Sequence, residues 1–318
     1  MNEAKTVFSD IFAVFDYLKS KGWTIPWGFH RYFEVMQYDD DEVYGVPMPM
    51  NPLYRGQNTF YQESYPSLYR RKRSEEEILE IELQVEELKL ILQDNPEIKD
   101  HISGGLKINY TGLAQHYGIP TNLFDLTNSP IVAAFFATTE YDYLKDEYHP
   151  VLSMVNKGVL YFWPHGGIEL TNARKPSIMP VGMEALPRPG EQAAYSIELK
   201  EGENLNHRVP IAFEFWHNPK ASIQIFEQCG RGKALFPYDP MANKIRMIQM
   251  TRTYSEQSLK TLCSRLNRNI ERTRTLLEKS GCYFTERCIF RYTSAELRFI
   301  TERYHKKYSD SFPKSNQA

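Results

Sequence analysis

The spacing of apolar residues changes along the chain, and each change outlines an element. Over residues 3–20, Val7, Ile11, Val14, Phe15 and Leu18 share one stripe, which predicts an amphipathic helix ended by Gly22. Residues 23–35 are rich in aromatics and predict a strand near Phe29–Phe33. Residues 38–52 combine an acidic run with Gly45, Pro47, Pro49 and Pro52 and read as a loop. Leu53 to Gly56 reads as a short strand ending in a turn. Ser74 opens the clearest helix, because Glu77 stands where a capping box needs it. Ile78, Ile81, Val85, Leu88 and Leu92 then repeat at helical spacing as far as residue 93, with Asn95-Pro96 as the stop.

Residues 112–137, GLAQHYGIPTNLFDLTNSPIVAAFFA, hold polar groups where a plain core segment would be apolar. A short helix carrying Leu113, Ala114 and Tyr117 ends at Gly118 and Pro120. A strand-like run from Thr121 to Leu126 follows, with Asp125 between apolar neighbours. Ser129 then caps a helix with Pro130 in its first position, and the run from Ile131 to Thr138 is apolar almost all round and so deeply buried. Gln115, His116, Thr121, Asp125, Thr127 and Asn128 thus gather near the start of a buried helix, as a polar network or as a ligand site.

Beyond this block, residues 141–150 are charged and loop-like, Gly158 to Trp163 is an apolar strand, and residues 164–194 read as a long loop. Val209 to Trp216 and Ser222 to Phe226 alternate as strands. Residues 254–279 are helical and basic on one face through Lys260, Arg265, Arg268, Arg272 and Arg274. A last helix from Ser294 to Tyr304 takes Ser294 as its cap and Glu296 in its first turn. This irregular mixture predicts an α+β fold in one main domain with helical additions. The divisions expected are an N-terminal helical and aromatic segment over 1–49, a core domain over 50–250 and a C-terminal helical region over 251–318 packed on the core.

Composition narrows the function classes. The 318 residues are 42% hydrophobic and 25% charged, as in an ordinary globular protein. A formal net charge of −2 gives no global field for nucleic acid or anionic membrane. The basic face over 260–274 is accompanied by Glu256, Glu271 and Glu278 and reads as a solvated surface, so a nucleic-acid partner is not expected. Cys229, Cys263, Cys282 and Cys288 form no zinc-ligand spacing, and no metal is expected. With no signal peptide or transmembrane run in view, a cytoplasmic location is the expectation.

Three groups of residues carry candidate chemistry. Arg55, in Tyr54-Arg55-Gly56-Gln57, is a guanidinium on an apolar strand, either a phosphate or carboxylate clamp or the partner of Asp125. His116 is either a base or ligand or a hydrogen-bonded structural histidine, and Thr127 suits a local side-chain turn. Glu227 and Gln228 sit at the end of the 222–226 strand, a usual place for site residues. Gly230-Arg231-Gly232-Lys233 lacks the spacing of a P-loop, and His165-Gly166-Gly167 has no G-x-S-x-G elbow to serve.

Taken in order, Tyr54-Arg55-Gly56-Gln57, Gln115-His116-Tyr117-Gly118-Ile119-Pro120-Thr121, Phe124-Asp125-Leu126-Thr127 with Ser129-Pro130, and Gln228-Cys229-Gly230 resemble the FRG domain family, named for its Phe/Tyr-Arg-Gly motif. The resemblance spans residues 50–240 and implies a bacterial or phage setting with a link to phage defence. The order of Arg55, Thr121 and Thr127 before Ala133–Ala137, and Glu227 or Gln228, is also similar to ADP-ribosyltransferases. That similarity implies a mixed or antiparallel split sheet with helices added at the N-terminus, between the first two motifs and at the C-terminus. It also implies NAD as substrate. Arg55 would hold the phosphate or ribose side, and Thr121 or Thr127 would support the nicotinamide ribose. Glu227 or Gln228 would act at the glycosidic bond, His116 would bind adenosine or the acceptor, Gln115 would belong to the binding set, and Tyr54 and Tyr117 would stack on a ring. Gly56 and Asp125 complete the implied binding set. Two classes stay open: an ADP-ribosyltransferase or NAD hydrolase, and a non-catalytic domain that recognises a nucleotide, a phage component or a partner protein.

Overall fold

The computed structural model describes residues 7–23, 32–37, 43–48, 52–166, 177–181 and 186–308. Strands β1 (Tyr32–Gln37) and β2 (Val43–Met48) form an antiparallel ribbon. Strands β3 (Leu53–Gln57) and β4 (Leu123–Thr127) lie at the centre of the main sheet, and β5 (Thr139–Asp142) and β6 (Glu147–Pro150) make a hairpin beside it. Strands β7 (Lys157–Trp163), β8 (Ile178–Pro180), β9 (Ala194–Glu198) and β10 (Ile211–Trp216) complete a six-stranded sheet in the order β10-β7-β3-β4-β9-β8. Every pairing in it is antiparallel. Strands β11 (Thr253–Ser255) and β12 (Tyr283–Thr285) pair in parallel among the C-terminal helices. The fold is α+β.

The period-two alternation of a strand divides the core. Leu160 and Phe162 of β7 face one side, with Tyr54, the Pro130–Thr138 helix, the Ile11–Ser20 helix and the Pro219–Gln228 helix. Val159, Tyr161 and Trp163 face the other, with Leu53, Phe124, Leu126, Tyr195 and Ile197. A third apolar cluster joins the Glu75–Leu92 helix to Tyr110–His116 and to the helices after residue 240. Helix Pro130–Thr138 presses directly on β3. A Cβ placed on Gly56 would lie 1.8 Å from the Ala133 carbonyl oxygen, so only glycine permits this approach. Among the described residues, no helix is long and apolar enough to cross a membrane.

Several expectations from the sequence change. The first helix runs from Ile11 to Ser20, because Asp10 caps it through the amides of Phe12 and Ala13. Phe29 lies outside the described residues, while part of the expected 38–52 loop is strand β2, whose Pro47 is tolerated in a two-stranded ribbon. Residues 139–150 are the β5–β6 hairpin, turned by Asp146 at φ 56°. Within the expected 164–194 loop, the described residues include β8 and a Pro187–Glu191 helix. Asn95 does more than stop a helix; its side chain caps the next one, Pro96–Ser103. The expected strand at 222–226 belongs to a helix, Pro219–Gln228, capped by Asn218, with Ala221, Ser222 and Ile225 buried on one face. The final helix spans Ser294–Tyr308 and is capped by Thr293, whose hydroxyl and amide exchange hydrogen bonds with Glu296.

The basic stretch at 254–279 is two helices, Glu256–Arg265 and Ile270–Lys279, separated by Asn267 at φ 50° and the cap Asn269. Three of its cations meet acids of the same chain. Arg265 contacts Glu82 at 2.6 Å and Glu86 at 2.8 Å, Arg268 pairs with Glu75, and Arg274 pairs with Glu256. The Glu75–Leu92 helix supplies most of those carboxylates, which explains both its acidic polar face and the basic stripe opposite.

Candidate functional site

The two central strands barely touch. Strands β3 and β4 share one register pair, Tyr54 with Thr127. Beyond it the Arg55 guanidinium bridges the gap, donating from Nη1 to the Asp125 carbonyl oxygen at 2.8 Å. Its Nε donates to Gln57 Oε1 at 3.3 Å, and the group lies 4.7 Å from the centre of the Phe124 ring. Burial lowers the Arg55 pKa, with the nearby Asp125 charge opposing the shift. Arg55 therefore contacts Asp125 through its backbone rather than through a carboxylate fork. No hydrogen bond is made by Nη2 among the described residues, which leaves that donor for a ligand.

A cleft of about 670 Å³ opens at this split. Tyr54, Arg55, Gly56, Gln115, His116, Asp125 and Thr127 all line it, so most of the expected binding set converges. Tyr61, Phe136, Tyr141, Tyr143 and Tyr148 also line it, as does a second acidic residue, Glu140. A turn at Tyr117 and Gly118, with Gly118 at φ +84°, brings His116 from its helix to face β4. His116 Nε2 stands 3.5 Å from Asp125 Oδ1, and both atoms are buried without a hydrogen bond. The His116 side chain is 3% exposed, whereas that of Asp125 is 39% exposed. Burial lowers the His116 pKa, the Asp125 charge opposes this, and Arg188 reinforces it. The histidine is accordingly neutral at pH 7. Burial also raises the Tyr54 phenol well above its usual range.

Some members of the expected set also hold the site together, and not all of them line it. The Thr127 hydroxyl donates to the Gln192 carbonyl oxygen at 2.7 Å and accepts from the Ser129 amide at 3.0 Å, the local turn its residue type suits. Thr121 is buried; its hydroxyl donates to Gln115 Oε1 at 2.6 Å and accepts from the Leu123 amide. Tyr117 donates to Asp239 Oδ2 at 2.8 Å and lines an adjoining cavity rather than the Arg55 cleft. Glu227 and Gln228 are exposed at the end of their helix and do not line the cleft; Glu227 instead pairs with Arg231 at 3.0 Å. The structure thus separates them from Arg55.

Sequence reasoning missed Gln192, Tyr148 and Arg188. Gln192 lines the cleft beside His116 and donates to the Leu235 carbonyl oxygen at 3.1 Å, closing the cleft from the β9 side. Tyr148 stacks on Phe236 at 5.0 Å and projects from a hairpin that looked like a loop. Arg188 carries no signal in its Pro-Arg-Pro-Gly surroundings beyond its charge. Among the described residues, no group of three or more His, Cys, Asp or Glu side chains could hold a metal ion.

No curated protein and no solved structure is similar enough to match the chain. A family model does match: residues 50–146, which contain Arg55, Gln115, His116, Asp125 and Thr127, fit the FRG domain. The chain carries an FRG domain in that segment.

Proposed function

We propose that the cleft binds a nucleotide of the NAD type and cleaves its nicotinamide–ribose bond, passing the ADP-ribosyl group to water or to an acceptor hydroxyl. The observation that supports this reading is the split between β3 and β4, where a guanidinium with a free donor stands beside a carboxylate and several aromatic rings. Arg55 would take a phosphate oxygen through charge-assisted hydrogen bonds. The tyrosines at the rim would cover a base. As the bond breaks, the nicotinamide leaves with the electron pair and positive charge develops on the ribose. Asp125, which lines the cleft with its side chain 39% exposed, would stabilise that charge. Asp125 would take the role that the resemblance to ADP-ribosyltransferases implied for Glu227 or Gln228.

Release of nicotinamide from NAD, followed by chromatography, tests the reading. Arg55→Ala should remove turnover in a chain that still folds and melts cooperatively, at a lower temperature because the bridge between β3 and β4 is lost. A folded protein that neither binds nor cleaves NAD at millimolar concentration would overturn it. The position of Glu227 and Gln228 outside the cleft favours a second reading, recognition of a nucleotide without turnover. Saturable NAD binding with no nicotinamide release would establish that reading. A place in phage defence belongs to the same proposal, and loss of protection on Arg55→Ala in a phage plating assay is its test.

A further inference from the structure

The cleft does not end at Arg55. A second cavity of about 490 Å³ adjoins it, and the two share His116, Asp125, Phe136 and Tyr148 as a common wall. The second cavity has an arginine of its own. Arg188 Nη1 donates to the His116 carbonyl oxygen at 3.2 Å, while Arg55 Nη1 donates to the Asp125 carbonyl oxygen at 2.8 Å. Each member of the His116–Asp125 pair therefore has a guanidinium on its backbone carbonyl, one from each cavity.

The Arg188 guanidinium lies 5.1 Å from the centre of the Phe236 ring, and its Nε is buried without a hydrogen bond. Asp239 accepts from the Arg188 backbone amide at 3.3 Å and from the Tyr117 hydroxyl at 2.8 Å, and among the described residues it makes no direct bond with the guanidinium. Arg188 is half-buried, the Asp239 charge acts on it without a direct ion pair, and its buried Nε has no acceptor. An anion entering the cavity would supply that acceptor. Arg246 stands at the outer rim, paired with Asp146 at 2.8 Å, and Asn243 and Gln249 add amide groups to the lining.

We propose that the second cavity is an anion subsite centred on Arg188, and that one ligand with anionic groups at two positions spans both cavities across the His116–Asp125 wall. The chemical class is a pyrophosphate-containing or doubly phosphorylated nucleotide. This rests on the nucleotide reading of the Arg55 cleft for the ligand's identity, but not for the anion subsite itself.

Isothermal titration of the full chain with inorganic pyrophosphate and, separately, with NAD tests it. The variants are Arg55→Ala, Arg188→Ala and Arg188→Lys, with melting temperatures recorded for each. The Arg188 amide keeps its bond to Asp239 in every variant, so the helix start is preserved. Arg188→Ala should weaken pyrophosphate and NAD at least tenfold, and Arg188→Lys should restore part of the pyrophosphate affinity. Pyrophosphate binding that depends on Arg188, with no NAD binding at all, would uphold the subsite and overturn the nucleotide reading. NAD binding that Arg55→Ala weakens and Arg188→Ala leaves unchanged would overturn the subsite alone. If Arg188→Ala unfolds the chain, Arg188→Lys carries the test: a loss of the bidentate fork without loss of charge should still weaken pyrophosphate, and unchanged affinity would overturn the subsite.

Discussion

Gly56 has no side chain because there is no room for one. The 1.8 Å approach of its would-be Cβ to the Ala133 carbonyl oxygen meets helix backbone, which cannot swing aside as a side chain can. Gly56→Ala should therefore cost about 3 kcal/mol or more, the upper end for overpacking, measured as a fall in the urea midpoint at constant slope. The tetrapeptide Tyr54-Arg55-Gly56-Gln57 showed an odd arginine, and structure supplies a separate reason for the glycine beside it. His116 makes a pH-dependent contribution. Its native pKa lies below the ordinary histidine value because it is buried. On acidification the unfolded chain takes up this proton first, so stability present above about pH 6.5 is lost as the pH falls, until the native histidine also protonates. Denaturation midpoints between pH 8 and pH 5 should drop less in His116→Gln than in the parent; parallel curves would refute this.

At the scale of elements, the sequence was most legible where a cap and a proline stood together. Ser129-Pro130 marked its helix correctly, yet Asn95-Pro96, Asn218-Pro219 and Asp239-Pro240 open helices by the same device. Asn218-Pro219 was obscured by the run that follows, because Ile223, Ile225 and Phe226 mimic a strand over five residues. Short windows cannot separate the two periods when one face carries so few apolar positions. The caps are unequal in energy. Asn218 accepts from the Lys220 amide at 3.0 Å and donates to Asp10 Oδ2 at 3.3 Å, whereas the Ser129 hydroxyl is buried without a partner. Asn218→Ala should cost about 1 kcal/mol, while Ser129→Ala should lie within about 0.5 kcal/mol of neutral. Thermal melts of the two variants side by side would show the difference.

Across the whole molecule, distant segments are joined by a few polar residues that local patterns could not foretell. Arg252 is the clearest. It ends the Pro240–Thr251 helix at φ 51°, donates to both oxygens of Glu80 at 2.8 and 2.6 Å, and reaches the Ser280 carbonyl oxygen at 2.6 Å. Three helices thus meet at one guanidinium. Arg252→Ala should destabilise the chain by about 2 kcal/mol through its charge-assisted bonds, and Arg252→Gly by less, because glycine relieves the left-handed backbone. Equal losses on chemical denaturation would show that the backbone there is unstrained. The convergence of Arg55 with Gln115, His116 and Asp125 was legible because their motifs carry polar residues into apolar runs. Gln192 and Arg188 were not, since their roles depend on which strand lies beside β4, and that neighbour is set by sheet topology.

The order of the main sheet has a consequence for modularity. Residues 50–146 match the family, yet β3 takes five register pairs from β7 and β4 takes five from β9, while β3 and β4 share only one. The inherited motif and the cooperative unit are therefore different objects. Moved alone into another protein, the segment would bring its signature but neither of the flanking strands that hold its two halves in place. A recombination that respects the motif's ends would break the sheet; one that carries residues through β10 would keep both the sheet and the wall that Gln192 closes.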